Sequence, residues 1–552
     1  MVILKLLKMY SGQKLISCDK KYLGLDDELM KVFNVEDYGA IGNGRTDCTK
    51  SFYDALEAAR MYDGEKIIQF SSGRYLISGI LEAKNMENIS IRGFGKSTIL
   101  IQTNSKEGGI WLNHCRNASI SGFSFEMVNL PYCEGIVLGT GDCFVDISVE
   151  GAFEDVFEKE WFLNYNQNFA SVVRSIGSTH YHMQEVVWYK SFERLSSNKW
   201  RVHLLDDGNL QKCGIRAGDG IYFLSRGGSK SDCFKASFCK DVIIENLTSY
   251  AGCSISLGLR NNENIVVRNI STQEHLGRII STNADGIHAS GNRGSIEISG
   301  CGFEGMADDG INVFAQHYNI LEVVDDNTLI MQKDFFGRPG DTLQIIDINE
   351  GRHVKGEAKI IGCDECKKGV KIKLKTPVKS MKAGLTTLRA VDGIELTALG
   401  DQAYIHEECG RLYIHDCYFG RFRGRGILCH SNCLIENNIF DNNSACSIDI
   451  TKDCNWPEGP VPMNITIRKN KFVCGSNVPG QPLISVRWIS DDGYLKHIRI
   501  EDNDFAGHID SPVIFLENVN DVLISGNVFE ENIPDEYKLQ VEGKCRNLKA
   551  FL

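Results

Sequence analysis

The stretch GRLYIHDCYF, from Gly410 to Phe419, places Leu412 and Ile414 on one side of an alternating run, turns through His415 and Asp416, and closes on Phe419. A period of two marks a strand with one buried face. The same shape returns downstream as NCLIENNIF from Asn432, MNITIRKNKF from Met463, KHIRIEDNDF from Lys496 and NDVLISGNVF from Asn520. Upstream it is seen as RNASISGFSF from Arg116, KDVIIENLTS from Lys240, NENIVVRNIS from Asn262 and RGSIEISGCGF from Arg293. Ile243 to Ile265 is a step of 22 residues, Phe419 to Phe440 of 21 and Phe505 to Phe529 of 24, while Phe440 to Phe472, a step of 32, implies an inserted loop.

A unit of about two dozen residues cannot bury its apolar face alone and must stack on its neighbours, which is the logic of a solenoid. Short strands with Asn and Gly at their corners select a right-handed parallel β-helix within the all-β class, each turn ~4.8 Å above the last. A two-sheet sandwich would not require this regular period. Phe33 to Ala40 (FNVEDYGA), the turn from Gly42 to Asp47 and the helical pattern through Ala55, Leu56 and Ala59 predict an entry strand followed by a capping helix. Two stretches break the repeat and predict inserted small β-barrel-like modules. The expected organisation is an N-terminal extension over 1–32, N-terminal rungs over 33–145, a module over 146–238, central rungs over 239–317, a second module over 318–397 and C-terminal rungs over 398–552.

Composition agrees: 54 glycines against 10 prolines favour strands and tight turns over long helices. A formal net charge of -12 and a pI near 5.6 argue against nucleic acid, whose phosphates demand a basic surplus, so a neutral ligand is expected. Lys5 and Lys8 interrupt the apolar start, and no run reaches the ~18 apolar residues of a membrane span. The expectations are therefore a cytoplasmic protein with no membrane partner; a homodimer is one assembly open to it, and nothing in the sequence selects it. The 20 cysteines read as reduced core residues, Cys301, Cys417 and Cys433 among them. Cys363 and Cys366 form a C-x-x-C pair with no second pair at zinc spacing, which reads as a hairpin turn.

The chemistry lies around one rung. Asn283 to His288 (NADGIH) precedes it and Ala307 to Asn312 (ADDGIN) follows it, so Asp308 and Asp309 stand 23 and 24 residues beyond Asp285, one turn of the coil. That spacing predicts three carboxyl groups in one patch. Carboxylates so crowded do not all ionise together, so the cluster retains a proton at neutral pH and titrates as a unit. Glycoside hydrolysis needs this split, an acid for the departing oxygen and a base for water. The competing readings are turn signals, since Asp-Gly pairs often mark turns, and a calcium site, since carboxylates bind hard cations; the expectation is no metal and no cofactor.

At these residues the chain resembles the β-helix glycosidases with an Asp trio, and specifically glycoside hydrolase family 110, exo-acting α-galactosidases that include the blood-group-B enzymes. NADGIHASGNRG from Asn283, EGMADDGINV from Glu304 and WPEG from Trp456 carry the likeness, which extends over most of the chain from about Phe33. The resemblance implies that Asp308 donates the proton, that Asp285 and Asp309 position and deprotonate water, and that the anomer inverts. It also implies that Asn283, His288, Asn312, Trp456 and Glu458 lie near a galactose at the end of a glycan, with Arg278 and Arg425 as further candidates. Val313 runs on into Phe314-Ala315-Gln316-His317, where the family tends to carry a His-Gly pair, a difference that touches the subsite beyond the galactose. Rival readings are a polygalacturonase-like glycanase, whose Gly-His-Gly element is missing from the sequence, a pectate lyase, and a non-catalytic glycan-binding β-helix.

Overall fold

The computed structural model describes residues 30–552 apart from the short stretches 164–167, 177–178, 206–213, 229, 276, 390–394, 431, 453–455, 475–479 and 508–510. The chain winds into a right-handed parallel β-helix with three faces. Two faces merge into one 22-stranded sheet, because strands such as Arg116–Met127 bend round a corner and pair on both sides of it; the third is an 11-stranded sheet. Successive rungs pair in parallel and in register, as Leu412 with Cys433, Cys433 with Ile465, Ile465 with Ile498 and Ile498 with Val522. One register differs from the sequence reading by a residue: Ile243 stands beside Val266, while Ile265 stands beside Val242. Because side chains alternate across a strand, that shift leaves Ile243 on the exposed face and puts Val242 and Ile265 in the core.

Two ladders hold the interior together. Phe303, Phe419, Phe440, Phe472, Phe505 and Phe529 stack with ring centroids 4.8 to 5.1 Å apart. Beside them Asn438, Asn470, Asn503 and Asn527 form a run of amides, the Oδ1 of each of the last three accepting from the backbone N–H and side-chain amide of the asparagine before it at 2.9 to 3.0 Å. Asparagines also turn the corners, Asn437 and Asn464 both at φ 58°, a left-handed conformation they tolerate better than most residues. The capping helix forms at Thr49–Arg60 and buries Phe52, Ala55, Leu56 and Ala59 over the first rungs.

Both interruptions are closed six-stranded antiparallel barrels with cores of their own. The first runs from Tyr132–Gly141 to Gly220–Ser225, so its opening strand precedes the repeat break near 146. The second runs from Tyr318–Asp325 to Gln402–Ile405, its closing strand lying beyond 397. Cys366 sits at the turn between the strands His353–Glu365 and Val370–Leu374, and every described cysteine is a free thiol. Among the described residues no helix is long and apolar enough to cross a membrane.

Candidate active site

The site is built from a repeated tripeptide. Asp285-Gly286-Ile287, Asp309-Gly310-Ile311 and Arg425-Gly426-Ile427 occupy the same place on three consecutive rungs of the 11-stranded sheet, with Ile287 beside Ile311 and Ile311 beside Ile427. Gly286 N–H donates to the Asp309 carbonyl and Gly310 N–H to that of Arg425 at 2.9 and 2.8 Å. A Cβ on Gly310 would lie 2.5 Å from the Gly426 carbonyl oxygen, so glycine is required for the rungs to close here. Asp285 therefore stacks against Asp309, with Asp308 beside them; one carboxylate oxygen from each lies within 4.8 Å of the others.

Three arginines surround this trio. Arg226, just beyond the last strand of the first barrel, donates to Asp308 through a short contact and to the Asn283 carbonyl at 2.7 Å. Arg423 Nη2 donates to the other oxygen of Asp308 at 3.3 Å. Arg425 donates through its backbone N–H and Nη1 to Asp309 at 2.7 and 3.2 Å, and through Nε to Asp449 at 3.0 Å. The electrostatic outcome is unequal. Burial pushes Asp308 up, but the Arg226 and Arg423 charges outweigh it and hold its carboxyl below the usual range. Burial together with the charges of Asp308 and Asp285 raises Asp309 to about 7 against the opposing pull of Arg425. These surroundings favour the protonated form of Asp309 over that of Asp308, whereas the resemblance names Asp308 as donor. The trio is also the one cluster among the described residues whose oxygens could converge on a cation; three guanidinium groups already neutralise it, which works against a divalent ion.

A cavity of about 450 Å³ lies over the trio. Asp285, His288, Asp308, Asp309, Asn312, Arg425, Trp456 and Glu458 all line it, so these expected residues are brought together. His288 Nδ1 meets Asp285 at 2.9 Å; burial lowers the affinity of the ring for a proton, but Asp285 and Glu458 prevail and raise it. Glu458 accepts from Asn312 at 3.2 Å, and burial raises its own carboxyl. Two expected residues lie elsewhere. Asn283 is fully buried and donates to the Pro131 and Ser225 carbonyls at 2.8 and 3.1 Å, tying the loop before Asp285 to the first barrel. Arg278 pairs with Glu126 at 3.0 Å and meets the Tyr132 hydroxyl at 3.4 Å, outside the cavity lining.

The sequence reading missed Arg226, Arg423, Phe169 and Trp188, which complete the walls. A signal existed for Arg423: it precedes an X-Gly-Ile that repeats Asp-Gly-Ile, masked by the barrel inserted between the rungs. None existed for Phe169, Trp188 and Arg226, which the first barrel and its exit bring in from outside the rung pattern. Phe314, at the point of departure from the family pattern, packs edge-on against His288 at 5.1 Å.

Comparison with known proteins places this chain among named relatives. The chain is 25% identical to α-1,3-galactosidase B of Phocaeicola vulgatus over 97% of this chain and 96% of that one. It is 22% identical to α-1,3-galactosidase B of Bacteroides thetaiotaomicron over 93% and 88%. The chain is a homologue of α-1,3-galactosidases. A further relative is α-1,3-galactosidase A of Bacteroides thetaiotaomicron, 25% identical over 82% of this chain and 84% of that one. No family model matches the chain. Among solved structures, a family 28 exopolygalacturonase of Yersinia enterocolitica superposes over 95% of this chain and 79% of its own, at 11% identity and a TM-score of 0.48.

Proposed function

We propose that this protein is an exo-acting, inverting glycoside hydrolase that releases terminal α-linked galactose, with the α-1,3 linkage foremost, from oligosaccharides or glycoconjugates. The observation that carries the reading is the carboxylate trio under a cavity of about 450 Å³, within the size range of small-ligand sites and walled by both aromatic and polar groups. Asp309, which holds a proton near neutrality, protonates the glycosidic oxygen as the bond to the anomeric carbon breaks. Asp308, kept ionised by Arg226 and Arg423, accepts the proton of the attacking water, and Asp285, oriented by His288, holds that water in place. Arg425 then stabilises the carboxylate left on Asp309. Trp456 offers an apolar face to the galactose ring, and Glu458 with Asn312 accepts and donates hydrogen bonds to its hydroxyls.

Two variants assign the donor. An enzyme lacking its general acid fails on alcohols that need protonation, by ~10²- to 10⁴-fold, yet still turns over a glycoside whose phenol leaves unaided. Asp309→Asn is expected to lose an α-1,3-galactosyl disaccharide and keep dinitrophenyl α-galactoside; Asp308→Asn is expected to lose both. The opposite pattern returns the donor role to Asp308, and no turnover of any α-galactoside by the parent protein removes the hydrolase reading.

One observation favours a second reading of the stereochemistry. Oxygens within 4.8 Å stand closer than the ~6.5 to 9.5 Å usual between the carboxyls of an inverting pair. A retaining route through a covalent galactosyl-aspartate fits the shorter gap. NMR of the first-formed sugar decides: β-galactose supports inversion and α-galactose supports retention.

A further inference from the structure

The outer face of the 11-stranded sheet continues past the catalytic cavity. One outward column runs Asn312, His288, Gly258, Lys235, Trp111 and Glu82, a residue per rung. A second cavity of about 440 Å³ opens two to three rungs from His288, ~10 to 14 Å along the coil. Its other wall comes from the second barrel through Asp334 and Phe336.

The polar groups at this groove are incompletely satisfied. Among the described residues, Ser237 Oγ, Asn113 Oδ1 and Asn261 Oδ1 are shielded yet accept no hydrogen bond. Ser237, 8% exposed, lines the cavity with Asn113 and Asn261, while Asp232, 1% exposed, is outside that lining and stands at ion-pair distance from Lys235 (3.5 Å) and Arg260 (3.7 Å). Gly258 leaves room for that carboxylate, since a Cβ there would meet Asp232 Oδ2 at 2.5 Å. Buried acceptors without donors cost free energy that a hydroxyl-bearing ligand recovers. Rings surround them. Phe238 and Phe336 are 39% and 40% exposed and meet edge to face at 5.5 Å, and Trp111 stands on the sheet beside them.

Orphan acceptors between exposed rings match a sugar, which presents hydroxyls at its edge and C–H groups on its face. The charges select a neutral one. Lys235 and Arg260 are offset by Asp232, Glu82 and Asp334, so no positive surplus remains for a sulfate or carboxylate.

We infer that this groove is a distal saccharide subsite, holding a neutral sugar of the same glycan whose terminal galactose occupies the catalytic cavity. The link between the two sites rests on the hydrolase reading; saccharide binding in the groove does not.

Trp111→Ala and Phe336→Ser, the latter altering an exposed ring on the barrel, test it together. Steady-state kinetics are measured on an aryl α-galactoside and on a galactose-terminated pentasaccharide. Both variants are expected to leave the aryl substrate unchanged and to lower kcat/KM for the pentasaccharide about tenfold, mainly through KM. Unchanged pentasaccharide kinetics in both variants, or equal loss on both substrates, overturns the subsite. Calorimetric titration of the pentasaccharide separates the two ideas if the parent protein cleaves neither substrate. Binding that weakens in both variants then retains the groove as a saccharide site, and binding that is absent or unaltered overturns it.

Discussion

Single residues carry two kinds of information in this chain. Asp285, Asp309 and Arg425 are each followed by Gly-Ile, and the glycine lets one rung sit on the next while the preceding residue faces the cavity. The register of the two aspartates was legible because their spacing equals one circuit of the coil, whereas Arg425, 116 residues beyond Asp309, is separated from them by the second barrel. The asparagine ladder was legible only as corner residues, since its bonds join amides from 24 to 33 residues apart. Asn470 is its test. Its Oδ1 accepts from the Asn438 backbone and amide at 3.0 Å, and its Nδ2 donates to the Ile435 carbonyl at 3.0 Å. Asn470→Ala leaves these buried partners unmatched and is expected to cost ~2 to 4 kcal/mol in urea unfolding. A change below ~0.5 kcal/mol would show that the ladder relaxes without it.

At the scale of elements, the coil and its capping helix followed from local pattern, whereas the barrels were visible only as interruptions. Their junctions with the coil rest on buried groups that no spacing predicts. Glu134, in the first strand of the first barrel, accepts from the Ile279 and Ile280 N–H groups at 3.0 and 3.1 Å, a few residues before Asp285. Burial raises its carboxyl to about 7, although those two bonds and Arg278 pull it down. Between pH 4.5 and 7 the folded protein therefore holds a proton here that the unfolded chain has released, and this residue's contribution to stability falls as pH rises through that window. Glu134→Gln keeps the acceptor oxygen without the charge. It is expected to be more stable than the parent by ~1 to 3 kcal/mol at pH 8 and nearly equal at pH 4.5, measured by denaturant unfolding. Equal stability at both pH values would mean that Glu134 is ionised at little cost.

Over the whole molecule, the chemistry belongs to a junction. The coil supplies Asp285, Asp308 and Asp309; the first barrel and its exit supply Phe169, Trp188 and Arg226; a loop between later rungs supplies Trp456 and Glu458. Arg226 thus favours the ionised form of an aspartate 82 residues away in sequence. Removing its guanidinium lets burial raise Asp308, so the low-pH limb of kcat/KM moves to higher pH in Arg226→Ala, while Arg226→Lys moves it less. A limb that stays in place would assign the low-pH ionisation to a group other than Asp308.

By itself the sequence determined the coil, its period and the carboxylate stack, because each depends on residues a fixed number of positions apart in a structure that repeats. Only the tertiary structure decided which carboxyl the surrounding charges favour in its protonated form, which rings wall the cavity, and that Arg278 and Asn283 serve junctions instead. Those outcomes depend on charges and contacts from inserted barrels, whose position against the coil follows from packing between distant segments and leaves no period in the chain.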